Sequence, residues 1–223
     1  MTEQNATNTK QRTYDNIITE MITGVIYRID FSFSRRRVMG TKYFTADLHF
    51  GHTNIIKFCN RPFKSVEEMD KTLIRNWNET VQPDDDIYIL GDFTMRKKGS
   101  ALAYVFALNG KKHMIRGNHD LFLQDFKETD SWFKWIKDYA VIEHEGTSLV
   151  LFHYPIVEWY GFGRGSIHLH GHLHNGGTVA PWDSSNTRVF NVGVDVCDYR
   201  PISVTEIIRR ANKLAITKRH QDQ

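Results

Sequence analysis

DDDIYILGD, residues 84–92, sets a polar turn against the run Ile87 to Leu90 and closes on Gly91 and Asp92. No charge interrupts the run. It therefore predicts a strand covered on both faces, as in α/β proteins, and not one with a solvated side. Asp92 then falls where that strand ends. In α/β sheets ligand sites gather at this end, because chains leaving neighbouring strands open there into a crevice.

Outward from this strand the chain alternates. KYFTAD (42–47) is a short strand pattern, and HMIRGN (113–118) is another. Between the first and Asp84, Ser65 and Glu68 have the S-x-x-E form of a capping box, and Met69, Leu73, Trp77 and Val81 follow at helical spacing. SALAYVFALNG (100–110) predicts a helix capped by Gly110. Later the rhythm changes to consecutive strands. YAVIEHEGTSLVLFHY (139–154) predicts a hairpin with its turn at Glu145-Gly146, followed by SIHLHG (166–171) and RVFNVGVDV (188–196). Alternation first and hairpins later predict one α/β domain over residues 39–215. Residues 216–223 read as a basic tail. Residues 1–38 stand outside the rhythm, although Val25, Tyr27, Ile29, Phe31 and Phe33 alternate like an edge strand; they read as a dispensable extension, consistent with an earlier start codon.

A length of 223 residues, 40% hydrophobic and 25% charged, suits a single globular domain. No apolar run approaches the roughly 18 residues of a membrane span, and the polar N-terminus lacks a secretory h-region. Cys59 and Cys197 form no C-x-x-C pair, which suits reduced thiols and predicts a cytoplasmic protein. The net charge of +3 lies in the ends, since residues 41–205 carry 18 Lys/Arg against 20 Asp/Glu. Extended nucleic-acid binding is not implied by that distribution, no membrane partner is expected, and oligomeric state is open.

Five groups of Asp, Asn and His each follow a strand-like segment: Asp47, His49 and His52 in ADLHFGH; Asp92; Asn118 and His119 in RGNHD; His153; and His172 and His174 in HGHLHN. Singly, a histidine at a strand end is more often structural, and G-D or G-N is more often a turn. As an ordered set at strand ends they read as a metal site. Residues two apart on an extended segment sit roughly 6.6 Å apart on one face. Imidazoles and carboxylates at that spacing can converge on one ion or on two ions about 3.5–4 Å apart. A donor set without thiolate favours Mn, Fe, Zn or Ni over Ca or Mg. In HLHGHLHN (168–175) spacing alone does not choose among the four histidines.

The order D-x-H, G-D, G-N-H-D, H, G-H-x-H resembles the signature of the metallophosphoesterase, or calcineurin-like phosphoesterase, superfamily, over roughly residues 42–208. DLHFGHTNIIKFCNRPF and NVGVDVCDYRPIS further resemble a group of small bacterial and phage-type predicted phosphoesterases. The resemblance implies an α/β/β/α sandwich of two mixed sheets flanked by helices. It implies two divalent ions, with Mn²⁺ favoured: Asp47, His49 and His174 on one, Asn118, His153 and His172 on the other, and Asp92 bridging both. His119 resembles the catalytic histidine that protonates the leaving oxygen. His52 and Arg116 are candidates to face the substrate phosphate. Gly171 marks the strand end, so His172 and His174 enter the crevice, while His168 and His170 stay in the strand to pack or to orient ligand imidazoles. His113 and His144 read as structural.

The implied chemistry is phosphoester hydrolysis by in-line attack of a hydroxide shared by two ions, which lower the pKa of water and offset phosphoryl charge. The small domain leaves little room for a cap, which favours a phosphodiesterase on a small or nucleotide-type substrate. A phosphomonoesterase, protein phosphatase or nuclease of the same superfamily is the alternative. From another class, a catalytically silent binding scaffold would predict lost ligands, and here the set is intact. Trp159, Tyr160 and Phe162 in WYGFGRGS (159–166) could stack on a base or form a packed turn.

Overall fold

Strand β2 (Asp86–Leu90) divides its side chains between two cores, Ile87 and Ile89 in one, Tyr88 and Leu90 in the other. The uninterrupted run is thereby explained, because neither face of the strand meets water. The computed structural model describes residues 40–125, 131–175 and 188–219. The expected extension, with its edge-strand pattern, lies outside the described residues.

Around β2 a five-stranded sheet forms in the order β4-β3-β2-β1-β9. Its strands are β1 (Lys42–Thr45), β3 (Lys111–Ile115), β4 (Ile136–Lys137) and β9 (Ile202–Ser203). β1 to β4 run parallel and β9 joins β1 antiparallel. A second sheet runs β5-β6-β7-β8. There β5 (Tyr139–His144) and β6 (Thr147–Phe152) make the expected hairpin, with Glu145 and Gly146 both at positive φ in the turn. β7 (Ile167–His170) and β8 (Val189–Asn191) continue parallel to β6.

One core lies between the first sheet and helices α1 (Thr53–Phe58), α2 (Val66–Thr80) and α3 (Lys98–Ala107). α2 starts where Ser65 Oγ accepts from the Glu68 N–H at 3.2 Å. The return bond reaches one residue further than a standard capping box, from the Lys64 N–H to Glu68 Oε2 at 2.8 Å. Met69, Leu73 and Trp77 of its apolar stripe are fully or almost fully buried, each contributing on the order of 2 kcal/mol. α3 begins before residue 100 and ends at Ala107; Gly110, at φ +88°, belongs to the turn into β3 and is not the helix cap. The second core joins the facing sheets, with Phe44, Leu90 and Ile115 against Leu149, Leu151, Ile167 and Leu169. Val204, Ile207 and Ala211 of α4 (Val204–Arg219) complete it. α4 passes through residue 215, so the boundary expected there falls inside a helix. The architecture is that of two mixed sheets flanked by helices in one α/β domain. Among the described residues, no helix is long and apolar enough to cross a membrane.

Candidate metal centre

The two sheets meet at the carboxyl ends of their strands. Ala46, just past β1, bridges Gly193, just past β8, and the Val194 N–H donates to the Ala46 carbonyl at 3.0 Å. Beyond β1 the chain is tied to the segment beyond β2: the Asp47 N–H donates to the Gly91 carbonyl at 3.0 Å and the His49 N–H to the Asp92 carbonyl at 2.9 Å. The clusters read from sequence thus leave adjacent strands into one crevice.

They leave it in an uncommon backbone conformation. Asp47, His49, Asp92, His172 and His174 all have φ between 48° and 71°. Outside glycine this left-handed region costs roughly 1–3 kcal/mol per residue and persists only where the surroundings impose it. Each bend turns a side chain out of the strand's alternation and into the crevice.

Two groups of donors result. Asp47, His49 and His174 form one, and Asp92, His153 and His172 the other, the donor atoms within each lying within 4.8 Å of one another. Asp92 Oδ2 lies between them, 3.5 Å from His49 Nε2 and 3.6 Å from His153 Nε2. Asn118 Oδ1 joins the second group at 2.9 Å from His153 Nε2 and 3.1 Å from His172 Nδ1. His119 follows Asn118; its backbone N–H donates to Asp92 Oδ1, and its ring stands 5.5 Å from that of His49.

His49 and His153 test whether these residues suit a cation. Both ring nitrogens of His49 are buried without a hydrogen-bond partner, an arrangement that costs roughly 1–3 kcal/mol per atom if nothing fills it. His153 Nδ1 lies 2.8 Å from the Leu90 carbonyl and must donate to it, which turns the Nε2 lone pair toward the oxygens of Asn118 and Asp92. A lone pair facing two acceptors is repulsive until a proton or a cation stands between them. Carboxylates, imidazoles and an amide oxygen around unpaired nitrogens fit divalent ions. Burial shapes the charges as well. It pushes Asp47 up to about 7, against the His174 ring and the His172 N–H, and it drives His49 down to about 2 with help from Arg61 and neighbouring histidines.

Glycines permit the approach. A Cβ on Gly171 would lie 2.5 Å from Ala46 Cβ and 2.7 Å from Asp47 Oδ2, and one on Gly91, at φ +89°, would lie 2.3 Å from His153 Nδ1.

The remaining candidates divide. His52 occupies the N-cap position of α1 without a side-chain cap bond, and its ring lies 5.6 Å from that of His49. Arg116 turns elsewhere, its Nη1 donating to the exposed Asp138 at 3.1 Å, because the β4–β5 corner offers a carboxylate there. His168 and His170 are buried in β7; His168 contacts the Val150 and Tyr154 carbonyls, and His170 Nδ1 lies 2.8 Å from the Gly171 carbonyl. His113 contacts Asp86 and stacks on Tyr88. Trp159 is buried, ring to ring with His168 and donating to Ser166 Oγ, so the 159–166 segment is a packed turn at that residue.

Residues that motif reading passed over also hold the site. Asp120 accepts from the N–H groups of Asp92, Phe93 and Gly117, each at 2.8 Å. Asp195 accepts from His174 Nδ1 at 2.7 Å and is gripped by Arg61. Asp120 closes the RGNHD motif, whereas the segments CNRPF and NVGVDV contained Arg61 and Asp195 with nothing local to mark the pair.

The chain is similar in sequence and in fold to known proteins. Residues 41–197 match the family model described as calcineurin-like phosphoesterase. An uncharacterised protein of Methanocaldococcus jannaschii is 38% identical over 183 residues, 81% of this chain and 96% of that protein. The Gene 66 protein of Mycobacterium phage L5 is 29% identical, with 79% of this chain and 96% of that protein covered. A solved structure of a protein of unknown function from Aquifex aeolicus superposes with a TM-score of 0.60 at 31% identity, covering 76% of this chain and 98% of that one.

Proposed function

The chain belongs to the calcineurin-like phosphoesterase family, and from that premise we propose that it is a two-ion phosphodiesterase acting on a small or nucleotide-type substrate. Membership itself makes it a metal-dependent hydrolase of phosphoester bonds. The observation that carries the finer reading is the position of Asp92 Oδ2 between two donor groups, each with an imidazole nitrogen turned toward it.

In this reading Asp47, His49 and His174 would hold one ion, Asn118, His153 and His172 would hold the other, and Asp92 would serve both. Mn²⁺ is the favoured occupant, with Fe, Zn or Ni as alternatives. Bound ions supply Lewis acidity, lowering the pKa of coordinated water and drawing charge from the phosphoryl oxygens. The protein residues then align and protonate. The bends at strand ends fix the donors before substrate arrives, so little reorganisation remains at the moment of reaction. The Asp92 carboxylate holds the His119 backbone, leaving the imidazole free to give a proton to the departing oxygen. No side-chain nucleophile is required, so no phosphoenzyme is expected.

Metal analysis of purified protein, joined to a chelator-sensitive assay on a chromogenic diester and the matching monoester, tests the proposal. Two ions per chain and faster turnover of the diester are expected. Undiminished hydrolysis by metal-free protein would sink it, and a preference for the monoester would replace the substrate class.

A further inference from the structure

His174 belongs to two overlapping sets of donors. It stands with Asp47 and His49 in one and with Cys59 and Asp195 in another, the donor atoms of each set lying within 4.8 Å of one another. The first set is oxygen and nitrogen only; the second adds a sulfur and is softer. One imidazole cannot complete both.

Arg61 bears on that choice. The side chains of Arg61 and Asp195 are both fully buried. Nε and Nη2 donate to the two Asp195 oxygens at 2.8 Å each. Nη2 also donates to the Asp47 carbonyl at 2.7 Å, and Nη1 to the Leu48 carbonyl at 3.0 Å and to Met69 Sδ at 3.4 Å. All five guanidinium N–H groups are thereby committed. Two effects follow for His174. Asp195, gripped at both oxygens, still accepts from His174 Nδ1, which makes Nδ1 the protonated nitrogen and leaves the Nε2 lone pair for a metal. The same guanidinium tethers the carbonyls of Asp47 and Leu48, and so the backbone that carries Asp47 and His49.

We propose that Arg61 is a positioning residue that commits His174 to the Asp47–His49 set and withholds Asp195, and with it Cys59, from coordination. The proposal rests on the two-ion reading above. Without the fork, the Asp195 carboxylate is released beside a thiol and an imidazole, and the softer set can form.

The test loads wild type, Arg61→Met and Arg61→Lys with Co²⁺, counting ions by titration calorimetry and reading the thiolate-to-cobalt charge-transfer band by absorbance. Wild type should bind two ions and show no band. Both variants should bind one of the two about tenfold or more weakly, keep the other, and gain a band that Cys59→Ser in the same background removes. Lysine restores the charge opposite Asp195 but not the fork that spans a carboxylate and two carbonyls. A charge-balancing role therefore predicts rescue by Arg61→Lys, and two ions bound there within about threefold of wild-type affinity would overturn the proposal. An ion lost with no band strikes out the competing set. If Arg61→Met does not fold, as removal of one partner of a buried pair can cause, the lysine variant decides alone. Wild type binding fewer than two ions overturns the two-ion reading and this inference with it, whereas failure confined to the variants touches Arg61 alone.

Discussion

The backbone N–H of His119 donates to Oδ1 of Asp92 at 2.9 Å, while Oδ2 of the same carboxylate faces His49 and His153. One side chain thus ties the proposed acid to the proposed ligands of both ions, and it does so through the main chain of His119, not its ring. His119→Ala keeps that N–H. It should therefore retain both ions and lose turnover by about 10²–10⁴-fold on esters with poor leaving groups, far less on a nitrophenyl ester. Metal content and kcat on the two ester types check this; loss of metal would show that the ring is a ligand.

Asp92→Ala removes the carboxylate oxygen that lies 3.5 Å from His49 Nε2 and 3.6 Å from His153 Nε2, and leaves the His119 N–H without its acceptor. Metal content and turnover should fall together to background. A folded variant that still holds two ions would exclude a bridging role.

His170 and His172 are two residues apart and should behave differently. His170 is buried in β7 with Nδ1 toward a carbonyl, whereas His172 lies past the strand end at φ 71°, beside Asn118. His172→Ala should empty one ion site, and His170→Ala should weaken binding by less than about tenfold. Calorimetric titration of both variants with Mn²⁺ distinguishes them, and equal losses would place the boundary between strand and site elsewhere.

Gly91→Ala should cost about 2 kcal/mol or more, since its φ of +89° strains any L side chain and the new Cβ would meet His153 and the Gly117 Cα at 2.7 Å. Denaturant unfolding gives the loss. Metal affinity should drop with it, because His153 has to move.

Lys112 supplies a pH dependence remote from the metal centre. Burial lowers it to about 8 from an ordinary value of 10.5, and its Nζ donates to the Gly110 carbonyl at 3.1 Å. Between those two values the unfolded chain holds a proton that the folded chain has released, so wild-type stability should rise with pH through that window. Lys112→Met should be more stable by about 1–2 kcal/mol at pH 7, with the advantage shrinking toward pH 10. Unfolding midpoints at several pH values check it; an advantage independent of pH would show that packing, not charge, is responsible.

What the sequence reveals follows from the range of each signal. Ile87 to Leu90 declared both faces of β2, Ser65 declared the start of α2, and Glu145-Gly146 the hairpin, because each is a local preference of the backbone or of burial. The convergence of the side chains from Asp47 to His174 was readable for a similar reason, each following a strand within a few residues. Arg61 and Asp195 were not. They are 134 residues apart, and a buried ion pair has the same composition in a sequence as two solvated charges. β4 and β9 are two residues each, too short for any periodicity, and they exist because a sheet edge offers them partners. Arg116 stood beside a motif residue, but tertiary neighbours decide where a long side chain ends, and it ends on Asp138.

The left-handed bends at Asp47, His49, Asp92, His172 and His174 bear on any attempt to move this chemistry to another protein. The seven proposed donor residues copied at the same spacing onto regular strands or helices would project along the wrong vectors, since the aim of five comes from backbone that regular elements do not supply. The transferable unit is the strand end with its turn and its supporting glycine. A graft designed from ligand identities alone would carry the alphabet of the site without its grammar.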